Sequence, residues 1–435
     1  MSRDSDTWKV SFPCSGRPWM IPDAGSPVPG RECILSPAVE AELESIADYC
    51  EFSVEKFKQS IVTPGGLFFL RVNTLKVDPG VIFQSMREAH PDVKFNREWS
   101  THVPEAIAMT VEKGEMPTPQ PKMVEADKHA AESVMLAAPL YAPGVRSPVN
   151  SFSKGDTVSI IHRCKTPWNG KSREFLMANG VAVHGSGRVH LVSRGTIINT
   201  LQSPFITPKF QTWQEFRKGL VLDQNFPSML AARILAPEPG EIVLDACAGT
   251  GGKTTHEAQL MHDEGSIVAI DRSKRNLEKM RRRIKRLGIH VITPVHSKLH
   301  EARDILRDLS PNKVLIDPPC SALGFRPKIY SLFDKNDFKN FAANQFRLVQ
   351  EITPCIPSGS ILVYSTCTVT IRENEMLIAR LVDELDYELI KPAVRCGTSG
   401  LQVPRLSRQE ANYLTRFHPQ DSPHVGFFIA RMKKK

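Results

Sequence analysis

The sequence has no apolar run long enough to cross a bilayer as a helix, so no membrane partner is expected. Its first ten residues, MSRDSDTWKV, are polar and charged and lack the apolar stretch of a secretion signal. Nine cysteines are scattered through 435 residues and never fall in C-x-x-C pairs. That spacing speaks against a zinc site or a disulfide framework, and for a reducing, cytoplasmic compartment with no metal. No internal repeat or long low-complexity tract is present. Acidic residues are in deficit: 47 Asp+Glu face 56 Lys+Arg, a net charge of +9. The excess points to a polyanionic partner, and nucleic acid is the commonest one. Charge alone leaves the partner open.

A phosphate loop is also lacking, although one is nearly there. The stretch Leu244 to Glu257, LDACAGTGGKTTHE, ends its loop in Gly252-Lys253-Thr254, as G-x-x-x-x-G-K-[ST] requires. The first glycine of that pattern should stand at position 247, which is Cys247. The turn therefore does not begin as a triphosphate loop does.

The chain is long enough for two or three domains. Residues 1–35, rich in Pro, Gly and Ser, read as an extended arm. Helices over Ala38 to Lys58 and the apolar strand GLFFLRVNTLK (Gly66 to Lys76) give an N-terminal α+β subdomain, or part of one, over 36–111. The Pro- and charge-rich stretch Glu112 to Lys122 marks a boundary. Over 122–204, LYAPGV, FSKGDTVSII and MANGVAVHG read as short strands with glycine turns, a small barrel or open sandwich. From 212 to 435 strands and helices alternate, which predicts an α/β doubly wound, Rossmann-like sheet. Strands are expected at Ile242 to Ala246, Ser266 to Ile270, Val291 to Val295, Lys313 to Ile316 and Ile361 to Ser365. A late strand, GFFIARM (Gly426 to Met432), is expected at the edge.

In such a sheet the first strand-to-helix turn is a ligand site, because backbone N–H groups converge there. Gly249, Gly251 and Gly252 allow a tight turn and close ligand approach. Asp271 ends the second predicted strand, where a carboxylate receives ribose hydroxyls. Loop and carboxylate suit S-adenosylmethionine as well as a dinucleotide. The plain alternative is that the glycines pack helix on strand and Asp271 caps the next helix. The loop alone does not choose between methyl and hydride transfer.

Two further segments bear on that choice. LIDPPCSALGFRP (Leu315 to Pro327) places Asp317 and Cys320 just past a strand, and LVYSTCTVT (Leu362 to Thr370) does the same for Cys367. Carbon 5 of cytosine is too poor a nucleophile to take a methyl group unaided. A thiolate added at carbon 6 makes carbon 5 enamine-like, and a carboxyl group at the ring edge stabilises the added charge. Singly, each cysteine reads more simply as an inert small hydrophobe. Together, with Asp317 before Cys320, they point to thiolate chemistry.

On these motifs the sequence resembles the Sun-type RNA cytosine-5 methyltransferases. FFLRVNTLK, CAGTGGKT (usually CAAPGGKT), DPPCS (usually DAPCS), and YSTCT followed by ENE (Glu373 to Glu375) occur in the family's order. The segment from Val124 to Ser203 is similar to the PUA RNA-binding module of the eukaryotic branch. The resemblance implies formation of 5-methylcytosine in RNA with S-adenosylmethionine as methyl donor. It implies that Cys367 attacks carbon 6, Cys320 acts in release, Asp317 binds the target base, and Lys253 serves the active site. The cofactor would be held by Cys247, Ala248, Gly249, Thr250, Gly251, Gly252, Lys253, Asp271, Asn276, Ser297 and Asp317. The expected partner is RNA, with the acceptor end of tRNA first and messenger RNA second. The chain is expected to act as a monomer, and its N-terminal subdomain to bind RNA.

Some positions depart from the family pattern. Gly249-Thr250 replaces Ala-Pro, Asn276 stands where Arg or Lys is usual, and Ser297 stands where an adenine-facing carboxylate is expected. A different class, an RNA-binding protein on a degenerate methyltransferase scaffold, draws on those departures. A third reading takes DPPC as kin to the DPPY loop of exocyclic-amine methyltransferases, which need no cysteine nucleophile. The Arg- and Lys-rich helix Arg272 to Gly288 is either a phosphate-binding face or simply solvated.

Overall fold

The computed structural model describes residues 32–435. The expected N-terminal arm lies outside the described residues up to position 31. Just past it, Ile34–Leu35 pairs in parallel with Tyr330–Ser331 of the C-terminal region. Two short helices follow, Pro37–Glu44 and Val54–Val62. Each starts where a serine side chain, Ser36 or Ser53, accepts a first-turn N–H group.

The apolar strand Leu67–Val72 lies in a four-stranded antiparallel sheet, between Val221–Asp223 and Ala106–Thr110, with Phe95–Asn96 outermost. Val221–Asp223 comes from beyond the inserted segment, so the N-terminal sheet is completed only after the chain returns. The insertion is closed at its neck: Glu112–Lys113, on the way in, pairs antiparallel with Phe205–Ile206 on the way out.

Within the insertion, six strands form one sheet in the order Leu140–Tyr141, Thr196–Gln202, Ser172–Ala182, Thr157–Lys165, Met123–Ala126, Val145–Pro148. Asn179-Gly180 lies within the strand Ser172–Ala182. A Cβ on Gly180 would sit 2.3 Å from the Asn199 carbonyl oxygen, so the glycine permits close strand approach at a bulge.

The C-terminal region is the expected doubly wound sheet. Its strand order is Ile292–His296, Ser266–Asp271, Ile242–Asp245, Lys313–Ile316, Ile361–Thr366, Phe427–Lys434, Tyr387–Leu389, with Thr415–Phe417 also paired to Phe427–Lys434. The first five run parallel, Phe427–Lys434 runs against them, and Tyr387–Leu389 pairs antiparallel to it in turn. Chain order reverses at Ile242–Asp245, which makes its C-terminal end the crevice where such sheets bind ligands. The strand expected at the edge, Phe427–Lys434, is interior. Phe427 to Ala430 are all buried, and the short strand Tyr387–Leu389 covers its outer side. Burial on both faces is what a continuous apolar run signals.

Candidate active site

The glycine loop leaves Asp245 at that reversal point. Gly249 (φ 55°) and Gly251 (φ 79°) adopt left-handed conformations, and a Cβ on Gly251 would meet Met280 Cγ at 2.6 Å. Nothing lies within 4 Å of the place a Cβ would take on Gly249. The Gly249 N–H donates to Asp271 Oδ2 at 2.9 Å. Asp271 Oδ1 accepts the Ser273 N–H at 2.7 Å and the Asn276 amide at 3.3 Å. Asn276 thus reaches the carboxylate from the next helix. Ser297 abuts the same strand end, its N–H donating to the Asp271 carbonyl at 3.3 Å, but its hydroxyl is spent on the Lys298 carbonyl.

Lys253, in the first turn of the helix Gly252–Leu260, turns toward the fourth strand. Its ammonium donates to Asp317 Oδ2 at 2.6 Å, and the Ser365 hydroxyl donates to Asp317 Oδ1 at 3.0 Å. Burial alone would push the Lys253 ammonium down; the Asp317 carboxylate outweighs it and leaves the group raised. Asp245 lies beneath. Its Oδ2 accepts the Thr254 hydroxyl at 2.6 Å, its Oδ1 is buried with no partner, and burial pushes its carboxyl up to about 7.

The loops after the fourth and fifth strands bring Cys320 and Cys367 together with 3.5 Å between the sulfurs. The two thiols diverge. The Cys320 hydrogen bond lowers Cys367 against the opposing effects of burial and Asp317, with Lys253 and Lys328 assisting. That same bond, then burial, raises Cys320 well above an ordinary thiol. Of the two, Cys367 is the thiol more readily ionised.

Sequence reading named the ENE motif without a role for it. Glu373 Oε1 accepts the Ser321 hydroxyl at 2.5 Å and the Thr370 hydroxyl at 3.0 Å. Its Oε2 accepts the Ser321 N–H at 3.0 Å and Gln345 at 2.8 Å. Asn374 straddles Cys367, accepting from the Thr366 hydroxyl at 2.7 Å and donating to the Thr368 carbonyl at 3.1 Å. Glu375 pairs with the buried Arg416, whose guanidinium also donates to the Val369 carbonyl. One short motif therefore ties the Cys320 loop to the Cys367 loop.

The comparisons with known proteins agree with this constellation. Residues 232–433 match the family model described as 16S rRNA methyltransferase RsmB/F. A tRNA (cytosine(72)-C(5))-methyltransferase of Pyrococcus horikoshii is 31% identical over 382 residues, covering 87% of this chain and 92% of that protein. The chain belongs to the RNA cytosine-5 methyltransferase family. Human tRNA (cytosine(72)-C(5))-methyltransferase NSUN6 is 30% identical, and the match spans 67% of this chain and 66% of the human protein. The crystal structure of NSun6 from Pyrococcus horikoshii with SFG superposes with a TM-score of 0.78 at 29% identity, covering 92% of this chain and 98% of that one. As a member of the family, the chain is an S-adenosylmethionine-dependent RNA cytosine-5 methyltransferase.

In this methyltransferase the RVNT stretch of the N-terminal sheet reaches the glycine loop, a link that spacing did not reveal. The buried Arg71 donates to the Gly252 carbonyl at 2.8 Å and to the Thr255 hydroxyl at 2.9 Å, and also contacts Gln224. Asn73 donates to the Gly219 and Leu287 carbonyls and accepts from Gln259, each at 2.9 Å. Glu105 holds Arg233 and His256 of the catalytic domain. Among the described residues there is no helix long and apolar enough to cross a membrane and no His/Cys/Asp/Glu cluster that could hold a metal ion.

Proposed function

We propose that this methyltransferase acts on cytosine 72 at the acceptor end of tRNA, as a cytoplasmic monomer. The two relatives above are named for that nucleotide, and the match to the Pyrococcus protein runs through the inserted unit as well as the catalytic sheet. The inserted six-stranded unit is, on this reading, the PUA module, and it grips RNA together with the N-terminal subdomain. A base in a paired stem must be unstacked before a thiol can reach it, and the end of a stem opens most easily.

The residues fit S-adenosylmethionine. The open side of Gly249 beside the Asp271 carboxylate is a cradle for an adenosine. The stretch Cys247 to Lys253 would wrap its methionine end, with Asn276 and Ser297 at the adenosine side. When bound, S-adenosylmethionine supplies the electrophilic methyl group that carbon 5 accepts. Cys367, as the thiolate, adds to carbon 6 and leaves carbon 5 with enamine electron density. Asp317, held by Lys253 and Ser365, meets the Watson–Crick edge of the base and stabilises the charge that develops on it. After transfer a base takes the proton from carbon 5, the electrons of that bond restore the double bond between carbons 5 and 6, the bond from carbon 6 to sulfur breaks, and its electron pair returns to Cys367. Cys320, in contact with that sulfur, assists this release.

The observation that carries the reading is the pair of sulfurs 3.5 Å apart beside the Lys253–Asp317 pair. Mapping 5-methylcytosine by mass spectrometry in tRNA incubated with enzyme and cofactor tests it. Modification confined to position 72 is expected, and modification elsewhere in the same tRNA contradicts the assignment.

A further inference from the structure

A cavity of about 270 Å³ lies where the N-terminal sheet, the inserted unit and the catalytic domain meet. Its walls include Phe69 and Phe226, Leu136 and Glu132 from the inserted unit, and Phe325 and His424 from the catalytic domain. Two features are unusual. His424 is only 4% exposed, yet neither ring nitrogen has a hydrogen-bond partner among the described residues. Its ring stacks on Phe226 at 4.8 Å and meets Trp99 edge-on at 4.3 Å, so its orientation is set by packing. Phe325, by contrast, is 46% exposed.

The cavity adjoins the nucleophile through the backbone. The N–H of Gly324, next to Phe325, donates to the Cys367 carbonyl at 3.0 Å. The N–H of Gly426, two residues from His424, donates to the Gly324 carbonyl at 2.7 Å. The charged groups in the wall are largely paired with neighbouring groups. The Arg326 terminal nitrogens donate to the Pro419 and Ser422 carbonyls, and the Glu132 carboxylate is paired with Lys128 at 3.0 Å and accepts the Ile329 N–H at 3.0 Å. Aromatic walls beside the unpartnered ring nitrogens of His424 suit a planar base.

We propose that this cavity binds an unstacked nucleobase of the RNA strand, within about two nucleotides of the target cytosine, with Phe325 stacking on it and His424 hydrogen-bonding its edge. The proposal rests on the RNA reading above and adds a second base-recognition site to it.

The test uses substrate RNAs carrying an abasic residue at each of the two positions on either side of the target, with wild-type enzyme and the Phe325→Ala and His424→Gln variants. The expected result is a KM increase of about tenfold at one flanking position for wild type, with kcat little changed. Phe325→Ala should show the raised KM on intact RNA and no further rise on the abasic RNA; because Phe325 is exposed, its thermal unfolding should match wild type. His424→Gln should show the same loss of discrimination. Equal KM on every abasic RNA for wild type, or undiminished discrimination in Phe325→Ala, overturns the proposal. Failure of wild type to methylate any intact RNA, while folded and binding cofactor, would instead overturn the RNA reading and this site with it.

Discussion

Cys320 and Cys367 sit 3.5 Å apart, sulfur to sulfur, yet the contact lowers one thiol and raises the other. The asymmetry divides their roles before any substrate arrives. Alkylation by iodoacetamide reads it directly, since the thiolate is the reactive form. In wild type, Cys367 should react first, at a pH below that of an ordinary thiol, with a rate that rises with pH. In Cys320→Ala the largest lowering cause is gone, and the profile should move up by about one pH unit, the worth of one hydrogen bond. An unmoved profile would mean the thiols are independent.

Glu373 spends both carboxylate oxygens on four donors from the two cysteine loops and the helix behind them. Glu373→Ala leaves those buried donors unpaired and should cost about 2–3 kcal/mol in denaturant unfolding, with a larger fall in kcat than in RNA affinity. Glu373→Gln keeps the shape but turns a donor toward donors, so it should fall between. A variant with unchanged kcat would remove Glu373 from any positioning role.

Arg71 carries the N-terminal sheet into the first turn of the cofactor helix. Arg71→Lys keeps the charge but not the planar fork that reaches Gly252 and Thr255 together. Titration calorimetry should show S-adenosylmethionine binding weakened by about tenfold, the loss of one or two hydrogen bonds to a charged group. Unchanged affinity would show that the sheet merely packs against the catalytic domain.

The two left-handed glycines separate packing from ligand contact. Gly251→Ala forces a Cβ to 2.6 Å from Met280 as well as into a strained backbone, so both stability and cofactor binding should fall. Gly249→Ala has open space for its Cβ and only the backbone strain of about 1–2 kcal/mol. It should unfold at nearly the wild-type temperature while losing cofactor affinity. Equal destabilisation by both changes would argue against a ligand cradle at Gly249.

Much of this molecule could be read from local pattern. The parallel strands, the helix Lys274–Leu287 and the glycine turn all follow from apolar runs, capping residues and spacing, which act over a few neighbours. What could not be read is what depends on partners distant in sequence. Arg71 meets Thr255 and Glu42 meets Arg372 across long stretches of chain, and no periodicity encodes such pairs. The same holds for Phe427–Lys434, whose interior place depends on a three-residue strand too short to stand out. The close strand contact at Gly180 was not legible either, because glycine serves turns and close strand contacts alike. The cavity at His424 gave no signal at all, since its walls come from three separate parts of the chain.

The central claim is that Cys367 attacks the base and Cys320 is needed only for release. Cys320→Ala incubated with substrate tRNA and methyl-labelled S-adenosylmethionine, then run on a denaturing gel, tests it most directly. A labelled protein–RNA band that disappears in Cys320→Ala/Cys367→Ala is the predicted result. Free labelled RNA at the wild-type rate, with no such band, would contradict it.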